Sequence, residues 1–146
     1  MKVAGVWRYV YRAVDQNGQV IDVYVSKKRD TTAATGFLSS AITAHGEPVE
    51  VQTDKSPVLA KTIRELAPGA HHDTTQYANN RVENDHGRLK ARLRPMRGLQ
   101  TDRTASVIIR GHAFMQNLRR GHYELGVDAR PGLSVTSAFD ELAGAV

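Results

Sequence analysis

Between residues 6 and 14, in VWRYVYRAV, side chains alternate. Trp7, Tyr9, Tyr11 and Ala13 share one face, and Arg8 and Arg12 lie on the other. Period two predicts a strand. Asn17-Gly18, in DQNG, is a strong hairpin signal, and VIDVYVS (20–26) reads as the return strand. The period then lengthens. Ala33, Phe37, Leu38, Ala41 and Ile42 form an apolar stripe at helical spacing, with Asp30 or Thr31 as cap and Gly46 as terminator. PVEVQTD (48–54) predicts a strand ending at Asp54. SPVLAKTIREL (56–66) predicts a helix capped by Ser56 with Pro57 at its first position, broken by Pro68-Gly69. AHHDTTQY (70–77) predicts a short strand. Helices are expected over about 80–93, stopped by Pro95, and about 101–120, with Ala105, Ile108, Met115 and Leu118 inward. A short amphipathic helix closes the chain over about 134–142. The order is hairpin, helix, strand, helix, strand, helix, helix, a mixed α/β arrangement.

Composition narrows the classes. The chain has 146 residues, the length of one domain with a real core. No apolar run approaches a membrane span, and no signal-peptide pattern opens the sequence. The absence of cysteine excludes disulfides and thiolate metal sites. Charge is uneven: residues 1–80 carry a net +1, residues 81–122 a net +7, and residues 123–146 a net −3. A basic block inside a folded domain points to a phosphate backbone, or else to a solvated helical face.

The candidate carboxylates each have two readings. Asp54 sits where a strand gives way to a helix, the kind of position that feeds a ligand crevice in α/β sheets; it also suits a turn before Ser56-Pro57. Glu83 lies three residues after Asn80, the spacing of a capping box, and an acid there suits the helix dipole. Asp85 is expected to pair with Arg81 or Arg88 along the helix. His71 and His72 point to opposite faces of a strand and make a poor metal pair. His86, one turn after Glu83, is placed to meet the same ligand. Asp15 is a turn residue, and Asp22 is a mid-strand acid. There is no glycine-rich phosphate loop with a lysine, no nucleophile elbow and no paired-histidine zinc motif.

Four stretches together resemble the catalytic domain of the DDE transposases of the bacterial insertion sequence six family. They are KVAGVWRYVYRAVDQNGQVIDVYVS (2–26), TDKSPV (53–58), YANNRVENDHGRLKARLRPMRG (77–98) and GHAFMQNLRRGHYEL (111–125). The resemblance implies a ribonuclease-H-like fold, a mixed sheet flanked by helices. It implies two divalent ions, normally Mg2+, held by three acids, with Asp54 the second and Glu83 the third. It implies cleavage and strand transfer of DNA, with transposon ends and target DNA as partners and a homo-oligomer as the working form. It also implies a cytoplasmic, nucleoid-associated location. Arg81, His86, Arg88, Lys90, Arg92, Arg94 and Arg97 become the expected DNA contacts around Glu83.

In the family the first acid opens the segment Asp-Glu-Thr-Tyr-Val-Lys-Val. Lys2-Val3 matches its end, so the first acid would lie four residues before Met1. The expectation is a catalytic domain over 1–122 with its first strand largely missing, a tail with a short helix over 123–146, and impaired activity. A non-catalytic DNA-binding fragment and a nuclease of the same fold are the rival functions.

Overall fold

The computed structural model describes residues 1–75, 80–96, 98–130 and 132–146, with Arg81 described in its backbone only. The strand expected over 6–14 is interrupted at Arg8. β1 (Lys2–Val3) and β2 (Val6–Trp7) make a tight hairpin, and β3 (Tyr9–Val14) pairs antiparallel with β4 (Val20–Ser26). Ala4 and Gly5 both have positive φ, as a two-residue turn between right-twisted strands requires. In the longer hairpin the Asp15 carboxylate accepts from the N–H groups of Asn17 and Gln19, each at 2.8 Å. Gly18, at φ +86°, donates its N–H to the Asp15 carbonyl.

Helices cover both faces of this hairpin. Val10, Val14, Val20, Val23 and Val25 pack on Leu89 of α3 (Asn80–Leu93) and on Ile109 and Ala113 of α4 (Asp102–Arg119). On the other face, Tyr11 and Tyr24 meet α1 (Thr31–His45), with Tyr11 and Phe37 ring centroids 5.5 Å apart. Asp30 caps α1, accepting from the Ala33 N–H, and Gly46 ends it at φ +87°. The fully buried stripe of α4 is Ala105, Ile109, Ala113 and Asn117; Ile108 and Met115, expected inside, are half-buried. The Asn117 amide accepts from the Val20 N–H and donates to the Val20 carbonyl, both at 2.8 Å, so a buried polar side chain and a strand residue satisfy each other.

β5 (Glu50–Gln52) and β6 (His71–Asp73) pair in parallel, connected through α2 (Pro57–Leu66), which rests on α1. Both strands are shorter than expected, and residues 76 and 77 of the second lie outside the described residues. Among the described residues, β3–β4 and β5–β6 are separate two-stranded sheets, and β5 has a partner on one side only. α5 (Ser134–Gly144) packs on α4.

Candidate functional site

Asp54 lies two residues beyond β5, in the turn into α2. Its Oδ1 accepts from the Ser56 N–H at 3.1 Å, so the turn reading is realised. Ser56 itself makes no side-chain cap. Oδ2 of Asp54 lies 3.3 Å from Nη2 of Arg29, which leads into α1. Their side chains are 48% and 60% exposed, and an ion pair in that setting is worth about 0–1 kcal/mol. Water or a ligand can therefore compete for this carboxylate.

Glu83 is exposed in the first turn of α3. The helix already includes Asn80, so Asn80 is not the cap that the expected capping box needs; the residue before it lies outside the described residues. At 100° per residue, Asp85, Leu89 and the half-buried Val82, His86 and Leu93 make up the inner face of α3. Glu83 shares its flank with Gly87, Lys90 and Arg94, while Arg88 and Arg92 occupy the opposite flank. These four cations are exposed. His86 departs from expectation. Its Nε2 is buried, and burial followed by nearby Arg12 pushes its pKa down. It faces the interior, away from the exposed row. The Arg81 side chain and Arg97 lie outside the described residues.

Asp85 is the larger correction. It does not pair along its own helix. Its side chain is 1% exposed and meets Nη2 of Arg12 from β3 at 2.5 Å and Nη2 of Arg120, just past α4, at 3.1 Å. Arg120 also donates to the Gly18 carbonyl at 2.7 Å. Burial holds the Arg12 pKa below its usual value, and Asp85 opposes that shift. The signal was present in the sequence. Asp85 falls four residues before Leu89 on the apolar stripe of its helix, and Arg12 alternates with Val10 and Val14 on one strand face. The partnership of Arg29 with Asp54 had no such signal, because it joins residues from two separate turns.

Asp54 and Glu83 offer the hard oxygen donors that Mg2+ takes. They fit such an ion in kind and not in number: two carboxylates, one engaged by Arg29, do not make up a two-ion site. Among the described residues, no three His, Cys, Asp or Glu side chains gather to hold a metal ion.

The comparisons with known proteins bear on this arrangement. A family model described as "DDE domain" matches residues 1–122. The chain is 36% identical to the transposase for insertion sequence-like element IS431mec of Staphylococcus aureus, over 69% of this chain and 47% of the relative. It has the same identity and coverage with the Staphylococcus aureus transposase for insertion sequence element IS257 in transposon Tn4003. The chain thus spans about half the length of the curated relatives it matches. A chain in the cryo-EM structure of the simian T-cell lymphotropic virus intasome in complex with PP2A regulatory subunit B56 gamma superposes with a TM-score of 0.62 at 20% identity, over 80% of this chain and 45% of that one. That likeness concerns the fold, and it agrees with the ribonuclease-H-like class expected from the sequence.

Proposed function

The chain belongs to the DDE-domain transposases of the insertion sequence six family, and from that premise we propose that it serves DNA transposition, with Asp54 and Glu83 as carboxylates of the strand-cleaving and strand-joining centre. The observation that carries this reading is the family match across 1–122, which includes both acids. The geometry supports it. Glu83 stands exposed on a helix flank that continues into Lys90 and Arg94, so a phosphate backbone held by these cations passes the carboxylate. Arg29 neutralises Asp54 through a weak, exposed pair that a ligand can displace.

The family works with divalent metal ions, and Mg2+ is the ion proposed for these acids. Such an ion, when bound, polarises a phosphoryl oxygen. DNA ends and target DNA are the proposed partners, a homo-oligomer the working form, and the bacterial cytoplasm, at the nucleoid, the location. A second reading, a DNA-binding chain without chemistry, is favoured by the engagement of Asp54 with Arg29.

One titration separates the readings. DNA is incubated with the chain with and without Mg2+, and both nicking and binding are followed. If the first reading holds, nicking needs Mg2+ and is lost in Glu83→Gln while DNA affinity stays. Binding indifferent to Mg2+ and to Glu83→Gln, without nicking, supports the second. On either reading, removing Lys90 or Arg92 lowers the slope of log affinity against log salt by about 1.

A further inference from the structure

The flank that carries Glu83, Lys90 and Arg94 ends in a cleft. Leu93, Met96 and Leu99 line its apolar floor, and Lys2, Lys90 and Arg94 its basic rim, around a volume of about 260 Å³. Lys2 reaches from the cleft to the next feature: its Nζ lies 5.4 Å from the centroid of the Trp7 ring, and Trp7 is its cross-strand partner. Trp7 is 62% exposed, although it is the chain's single tryptophan and its largest apolar side chain. An apolar floor, a cationic rim and an exposed indole therefore lie side by side.

This combination selects its ligand. A simple anion has no use for the apolar floor, and a neutral apolar molecule has no use for three cations. A base stacked and paired inside a duplex cannot reach the floor, since the duplex presents its phosphates first. An unpaired nucleotide offers both parts, an anionic backbone and an apolar base face, and basic grooves with aromatic platforms are the common solution for single strands. The spacing agrees. Eleven residues of helical rise, about 16 Å, separate Glu83 from Arg94, a length along which several phosphates of one strand can lie. Gly87, between Glu83 and Lys90, leaves open space above the helix where a backbone can lie close.

We propose that this cleft binds an unpaired base of the DNA strand whose backbone runs past Glu83, with Lys2, Lys90 and Arg94 holding its phosphates. The proposal rests on the reading of the chain as a DNA-binding transposase domain.

The 146-residue chain is titrated with a blunt duplex and with the same duplex bearing a single-stranded overhang of about four nucleotides, while Trp7 fluorescence reports occupancy. The overhang is expected to bind about tenfold tighter, the worth of one stacked base, and to change Trp7 emission where the blunt duplex does not. Met96→Ser, at a partly exposed position on the floor, should reduce that preference and leave blunt-duplex affinity within about twofold, and Lys2→Gln, which removes a phosphate contact, should reduce the preference and lower the salt dependence of overhang binding. Equal affinity for the two DNAs, or a preference that survives both substitutions, overturns the base site and leaves the transposase reading standing. Failure to bind either DNA overturns both.

Discussion

At Asp85 one carboxylate answers two guanidinium groups that arrive from different elements, Arg12 from the strand and Arg120 from the end of α4. Val82 is the only aliphatic side chain in the first two turns of α3, so the ion pair is what fastens the half of the helix that carries Glu83. Asp85→Asn is expected to cost about 3–5 kcal/mol, because it strands buried positive charge. Urea midpoints check this, and the combined Arg12→Met and Asp85→Leu change should recover most of the loss, since a buried ion pair often yields to apolar residues of similar volume. The histidines near Arg12 give a pH prediction. Burial first, and Arg12 second, lower the pKa of both His86 and His112 below the ordinary 6.5. Lys90, Arg92 and Arg119 act in the same direction; Glu83 and Asp85 oppose them. Below about pH 6.5 the unfolded chain then binds more protons than the folded one, so stability falls as pH drops through the lowered values. Melting temperatures should decline from about pH 7.5 to 5.5, and a double His86→Gln, His112→Gln chain should show a flatter profile.

Among the elements, α3 and α5 are placed by different means. α3 is held by Leu89 and Leu93 at one end and by Asp85 at the other, which leaves Glu83 and the exposed cations outward. α5 is placed by a glycine. Gly126 has φ +63°, and a Cβ there would come 2.4 Å from the Ser134 carbonyl oxygen, at the first residue of α5. Its N–H also donates to the Glu141 carboxylate at 2.9 Å. Gly126→Ala is therefore expected to release α5 from α4 while the hairpin, α3 and α4 stay folded. Far-UV circular dichroism should lose helix signal, and proteolysis should begin in the tail. Most elements were legible in the sequence, because periodicity, caps and breakers are local: Asp30 and Gly46 bound α1 as expected, and Pro57 opens α2. Asn117 was not legible as a core residue, since its type signals exposure and its main partner, the Val20 backbone, lies on a distant strand, with the Tyr123 hydroxyl accepting from its amide as well.

Across the whole molecule, the hairpin is packed on both faces, whereas β5 and β6 form a two-stranded parallel pair with one side of β5 free among the described residues. Two strands alone are marginal in water, so β5–β6 is expected to open before β3–β4. Hydrogen exchange at Val51 and Asp73 should exceed that at Tyr11 and Tyr24 by at least about tenfold, a difference of about 1.4 kcal/mol in opening free energy; equal protection would mean one cooperative unit. By itself the sequence determined the order of elements, because periodicity, caps and breakers are local, and its resemblance to the insertion sequence six family carried the ribonuclease-H-like class. Only the tertiary structure decided that Asp85 joins Arg12 to Arg120, that Arg29 answers Asp54, that His86 turns inward and that a basic-rimmed cleft lies beside Trp7. Each of those depends on which distant groups share a low-dielectric interior or a common surface, and charge type alone carries no record of that.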